Sequence, residues 1–238
     1  MNKIKSSCWI CGAGATSGEH IPKSATLSDI FGEVSQAKPL FHSSKKRLNR
    51  QLQSINSTRV KFRVLCSACN TGLTQPYDWA WDQLWHYLSS NESTLTTGMW
   101  IHRSRIFPQK SAVKMIDLHL YAVKLIGCIS ALYGLKIDMG GLANAIKQRK
   151  PYPWVFFGVG KRMWLTKVKV AGPSDLNVVH DKITGECVFA VFFLAMAGWE
   201  FQFIYAAPGQ LRDGMRNCWN PVSTRSTRRL PLKMFLTE

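Results

Sequence analysis

Acidic side chains are scarce in this chain: 14 Asp and Glu stand against 31 Lys and Arg, for a net charge of +17, and the excess is present in both halves. The shortage tells against an acidic or charge-neutral binding role. Lys and Arg gain affinity for phosphates by releasing condensed counterions, so a chain this basic is expected to bind nucleic acid at least non-specifically and in a salt-sensitive way. Composition alone also leaves open a merely soluble basic protein and a ribosome or membrane-surface binder. Long apolar runs are lacking as well. The best of them, Val188 to Trp199, is about half a bilayer span and is followed at once by Glu200, so no membrane insertion is expected. Behind the basic residues Met1 to Lys5 stands Ser6-Ser7-Cys8 rather than an apolar stretch, which argues against a secretory signal and makes the cytoplasm the default address. Internal repeats and low-complexity tracts are absent.

The chain has 238 residues, 46% of them hydrophobic, enough for a core in one large domain or two modest ones. The texture suggests an α+β chain in two units, 1–92 and 93–238, with the boundary at the polar cluster Ser89-Ser90-Asn91-Glu92-Ser93. In the first unit Thr58 to Leu65 alternates, with Val60, Phe62 and Val64 on one side and Arg59, Lys61 and Arg63 on the other, as in a half-buried strand with a basic open face. Trp79, Trp81, Leu84, Trp85 and Leu88 suit a helix over 77–88, opened near Pro76. Residues 24–57 form an insertion whose cations Lys45, Lys46, Arg47 and Arg50 are read as a solvated face that can also grip a nucleic-acid backbone. In the second unit Ser111 to Leu132 is an apolar cylinder with a narrow polar stripe, Lys114, Asp117, Tyr121 and Lys124, expected as a largely buried helix stopped by Gly134. Runs at 154–157, 163–170, 187–194 and 199–206 read as strands of an antiparallel sheet packed on that helix, and the basic tail Arg225 to Arg229 reads as mobile. This unit carries no motif that converts into chemistry, and is open to a homodimer contact, a companion protein or the substrate.

Seven cysteines without a secretory signal speak for metal ligation or buried thiols rather than disulfides. Cys128, Cys187 and Cys218 are scattered in apolar or loop settings and read as buried hydrophobes. Cys8-Trp9-Ile10-Cys11 and Cys66-Ser67-Ala68-Cys69 each set two thiols at the spacing with which one tight turn aims both at a single ion, and four thiolates close a tetrahedral zinc shell. Such a zinc is structural and cannot activate water. Between the pairs stands Ser17-Gly18-Glu19-His20-Ile21-Pro22, and Asn70 follows the last cysteine. A zinc staple would bring Asn70 toward Glu19 and His20. A carboxylate and an amide oxygen suit Mg²⁺ or Mn²⁺, and a neutral imidazole beside them is the natural acceptor of a proton from water.

Cys-x-x-Cys, then Glu-His-Ile-Pro, then Cys-x-x-Cys-Asn resembles the zinc-containing branch of the HNH, or ββα-metal, endonucleases, over approximately residues 8 to 90. The resemblance implies a two-stranded hairpin and a helix around one catalytic cation. It implies zinc on Cys8, Cys11, Cys66 and Cys69, His20 as general base, and Glu19 and Asn70 as ligands of Mg²⁺ or Mn²⁺. Asn70 stands where many members have a final His and Glu19 where Asp is commoner; the Asn that many carry shortly before the second pair is replaced by Lys61, with Asn56 the nearest upstream. The implied activity is hydrolysis of phosphodiester bonds in DNA, most readily double-stranded, in a role such as antiviral (phage) defence or a mobile element. Arg59, Lys61 and Arg63 are placed to position the phosphate backbone. Two other classes remain open, a non-catalytic zinc-ribbon nucleic-acid binder and a degenerate interaction subunit.

Overall fold

The computed structural model describes residues 7–44, 47–52, 54, 61–162, 169–222 and 228–234, and shows a mixed α+β chain. Strand β1 (Ser17–His20) leads into helix α1 (Ser24–Phe31), a hairpin of β2 (Leu40–Ser44) and β3 (Arg47–Leu52) follows, and β4 (Lys61–Leu65) returns to pair antiparallel with β1. The insertion at 24–57 therefore has a helix and a hairpin of its own. The strand expected over 58–65 is present from Lys61 on; residues 58–60 lie outside the described part. Between the Ser17 and Glu19 pairings β1 advances two residues while β4 advances three. This bulge lets the neighbours Val64 and Leu65 both turn inward, against strict alternation.

A π-helical segment, Ala68–Leu73, passes through Thr74 into α2 (Gln75–Ser90), with Pro76 in the first turn, where a missing N–H leaves no ladder bond unmade. Its buried positions Tyr77, Ala80, Trp81, Leu84, Trp85 and Leu88 repeat at the helical period, so one stripe faces the core, and each large side chain on it contributes about 2 kcal/mol of burial. After β5 (Trp100–His102) and α3 (Arg103–Ile106) comes α4 (Ser111–Tyr133), ended by Gly134 at φ 66°, a left-handed cap that glycine adopts without steric cost. α4 is long and apolar enough to cross a membrane by length and composition, a property expected of no segment, but its apolar window is 83% buried inside the protein, where it serves as the central core helix. α5 (Met139–Gln148) packs beside it, capped by the Asp138 carboxylate, which accepts from the Gly141 N–H at 2.8 Å.

The remaining strands are β6 (Val155–Lys161), β7 (Ala171–Pro173), β8 (Asn177–His180), β9 (Cys187–Met196), β10 (Trp199–Ala206) and β11 (Arg229–Met234). They join β5 in a seven-stranded sheet of order β5-β11-β6-β10-β9-β7, with β8 also on β9. The expected strand at 163–170 falls mostly on residues outside the described part, and β7 begins after it. Two expectations are corrected. The sheet is not wholly antiparallel, because β11 enters between β5 and β6 and runs parallel to β6. Nor is the end of the basic tail loose: Arg229 opens β11, whose Leu230 and Leu232 alternate into the core, while residues 223–227 lie outside the described part. Trp81 of α2 stacks on Tyr121 of α4 at 4.6 Å and meets Phe201 of β10 edge-on at 4.7 Å. One hydrophobic core thus continues across position 92 from Cys8 to Leu232.

Candidate metal centre and the adjoining pocket

The first cysteine pair sits on a tight turn: the Cys8 N–H donates to Ala13 O, the Gly12 N–H donates to Cys8 O, and Gly12 takes φ 80°. The second pair spans the end of β4 and the start of the π-helical segment. The turn is tied to β4 by the Trp9 N–H, which donates to Val64 O at 3.2 Å. All four Sγ atoms lie within 4.8 Å of one another, and Cys11 Sγ and Cys66 Sγ are 3.6 Å apart, too far for a disulfide. A tetrahedral zinc with bonds of about 2.3 Å needs sulfurs about 3.8 Å apart. The four thiols fit a structural metal such as zinc, with Cys8, Cys66 and Cys69 buried and Cys11 facing solvent. Cys128, Cys187 and Cys218 are free and buried, as expected of small hydrophobes.

Trp9, inside the first pair, packs against α4 at Gly127. A Cβ placed on Gly127 would come within 2.4 Å of its ring, so only glycine allows the two elements this approach.

Beside the cysteines an open pocket of about 240 Å³ is lined by Glu19 and His20 from β1, Lys23 and Ser24 at the start of α1, Asn70, and Asp78, Trp79 and Asp82 from α2. Glu19, His20 and Asn70, far apart in the chain, therefore share one cavity. The Asn70 backbone N–H donates to Cys66 O at 3.0 Å, and its side-chain nitrogen donates to Ser17 Oγ at 2.9 Å. The amide oxygen is thereby left as the side chain's atom for a hard cation. His20 is half-buried.

Glu19 is buried, and one of its carboxylate oxygens, Oε2, is 3.0 Å from Lys124 Nζ on α4. The same ammonium, fully buried, donates to both oxygens of Asp78 at 3.0 Å. Burial pushes the Asp78 carboxyl up to about 6 and the Glu19 charge adds to the rise, while Lys124 opposes it. Burial acts to lower Lys124, but Glu19 and Asp78 outweigh it and hold the ammonium above its ordinary value. At the mouth Lys23 Nζ donates to the two Asp82 oxygens at 2.7 and 2.6 Å and to Asp78 O at 3.1 Å. The pocket is thus a set of alternating charges, and Glu19 has one oxygen already engaged.

Sequence reasoning missed Lys23, Asp78 and Asp82 as pocket residues, and Lys124 as the buried partner of Glu19 and Asp78. The available signal was Lys124 itself, a charge in the middle of a helix otherwise too apolar to face water. Of the cations expected to grip a backbone, Arg63 is exposed on β4 and Arg50 is half-buried on β3; Arg47 and Lys61 open their strands, with side chains outside the described part, and Lys45, Lys46 and Arg59 lie outside it altogether. His119 is fully buried, and burial lowers its pKa to about 3, which keeps the imidazole neutral as it accepts from the Tyr152 N–H. Comparisons with family models, with curated proteins and with solved structures give no match for this chain.

Proposed function

We propose that the chain is a metal-dependent endonuclease of the HNH type that hydrolyses phosphodiester bonds in DNA. The observation that carries the reading is the shared pocket of Glu19, His20 and Asn70 beside four clustered thiols. The antiparallel pairing of β1 with β4, and the position of α2 after them in the chain, support the reading. Glu19, through the oxygen not engaged by Lys124, and Asn70, through its amide oxygen, would hold Mg²⁺ or Mn²⁺. When bound, such a cation supplies charge stabilisation for the departing oxygen of the phosphodiester. His20 takes a proton from water as the water oxygen bonds to phosphorus in line with the P–O bond that breaks. Arg63, exposed on the strand paired with β1, would hold the phosphate backbone.

A second reading, a non-catalytic zinc-bearing nucleic-acid binder or interaction subunit, is favoured by one observation: Lys124 already neutralises charge on Glu19 and Asp78. A cleavage assay on plasmid, linear and single-stranded DNA and on RNA with Mg²⁺ or Mn²⁺, beside a zinc measurement, separates the two. His20→Ala is expected to keep zinc and DNA binding and to lose cleavage by about 10²–10⁴-fold. Equal cleavage by that variant removes His20 from the mechanism, and binding without cleavage by the parent chain under every metal selects the second reading.

A further inference from the structure

The hairpin of β2 and β3 takes no part in the pocket. Among the described residues its strands pair only with each other. In its register Leu40 faces Leu52, Phe41 faces Gln51 and His42 faces Arg50. Leu52 is buried and Leu40 half-buried, which anchors the base of the ribbon, while Phe41 is 66% and Leu48 79% exposed. An isolated two-stranded ribbon is marginal in water, and apolar side chains displayed on one mark a contact surface.

Charge identifies what the contact is. From residue 34 to residue 77 the sequence holds eight Lys and Arg (Lys38, Lys45, Lys46, Arg47, Arg50, Arg59, Lys61 and Arg63) and no Asp or Glu. A second copy of this chain, itself at +17, is repelled by such a surface, whereas a polyanion is drawn to it. A strand of five residues is about 17 Å long. The major groove of B-form DNA, about 12 Å wide and about 8.5 Å deep, admits a two-stranded ribbon, and apolar side chains there meet thymine methyl groups. The deep, narrow major groove of A-form RNA does not admit one.

We propose that the β2–β3 ribbon seats in the major groove of duplex DNA, with the exposed Phe41 and Leu48 against base edges and the exposed Lys38 on a flanking phosphate. This deepens the nuclease reading and rests on its DNA substrate, not on its chemistry.

The test is fluorescence anisotropy of the full chain, without added Mg²⁺, on a short labelled DNA duplex, its single strand and the matching RNA duplex, across a salt series. Zinc content and Tm are measured for each variant. Lys38→Gln is expected to make the slope of log K against log salt shallower by about 0.9 on duplex DNA, the share of one lost phosphate contact. Phe41→Ser/Leu48→Ser is expected to weaken duplex DNA binding roughly tenfold with an unchanged slope, and to leave single-strand binding as it was. Unchanged duplex affinity in the serine pair, equal losses on duplex and single strand, or RNA duplex bound as tightly as DNA duplex each overturn the proposal. If the serine pair lowers the Tm, Lys38→Gln decides, and an unchanged slope there overturns it. Plasmid cleavage by the same preparation is scored apart: no cleavage with the binding pattern intact defeats the nuclease reading and leaves the ribbon standing.

Discussion

Lys124→Met removes an ammonium and keeps the aliphatic stem, so its consequences follow from charge alone. In the native protein that nitrogen lies 3.0 Å from a Glu19 oxygen and from both Asp78 oxygens, with the Lys side chain 0%, Glu19 6% and Asp78 16% exposed. Without it, two carboxylates from β1 and α2 face each other with little access to water. Taking one partner from a buried pair costs about 3–5 kcal/mol, because the charge left behind is not compensated. In a chain of this size each kcal/mol moves Tm by about 2–4 °C, so the expected fall at pH 8 is of order 10 °C.

The deficit depends on pH, and the sign follows from Asp78. Its folded carboxyl titrates at about 6, above the ordinary carboxylate range. The folded state therefore binds more protons than the unfolded chain between about pH 4 and 6, and Asp78 opposes stability increasingly as pH rises through that window. Removing Lys124 takes away the contribution that acts most strongly against this rise, so Asp78 titrates higher still and the unfavourable window extends upward. The Tm difference between parent and Lys124→Met is accordingly largest at pH 8 and shrinks toward pH 5, where protonation of Asp78 relieves the repulsion. Calorimetry of both proteins from pH 5 to 8.5, with zinc content measured alongside, checks this; effects of acid on the thiolates are common to both and cancel in the difference. A Tm difference that is absent, or the same at every pH, refutes the buried bridge.

Two further outcomes test the metal centre and its seat on α4. One zinc per chain is expected by metal analysis, and Cys66→Ser should release it and destabilise residues around β1 and β4, read as loss of amide-exchange protection there with the β9–β10 pairing retained. Gly127→Val should drive the Trp9 ring off α4 and lower Tm by several degrees, with partial recovery in Gly127→Val/Trp9→Ala; the same Tm in all three proteins, parent included, would mean that the packing of the turn on α4 carries no weight.

Local periodicity made much of the fold readable. The helical repeat of Tyr77 to Leu88 and the apolar length of 111–132 mark α2 and α4 to within two or three residues, because each stripe meets a neighbour that needs it. Trp199 to Ala206 coincides with β10 for a different reason: every residue of that central strand is buried, so the apolar run is continuous. β11 was hidden because Pro231 sits within it beside a basic stretch, a pattern that speaks against a strand interior. The parallel pairing of β11 on β6 depends on where the chain returns, which no local pattern encodes. The cysteine pairs were legible since their chemistry is local, while the hairpin at 40–52 has too little alternation to announce itself.

The pocket was only half legible for a reason that lies in α4. Its stripe of Lys114, Asp117, Tyr121 and Lys124 has the spacing of a water-facing edge, yet Asp117, Tyr121 and Lys124 are all buried, because the sheet covers one side of α4 and α2 with β4 covers the other. Charges so placed persist only with partners: Asp117 takes a bidentate hydrogen-bonded pair from Arg149 at 2.8 Å, and Lys124 takes Glu19 and Asp78. The polar stripe of this helix is thus an inventory of charges awaiting opposite charges on other elements. Glu19 stands beside His20 in a six-residue motif that reads as self-contained, but its carboxylate is held by a lysine more than a hundred residues later. The pocket is therefore a product of the whole chain: β1 and α2 supply its carboxylates, and the docking of α4 supplies the charge that lets them stay buried.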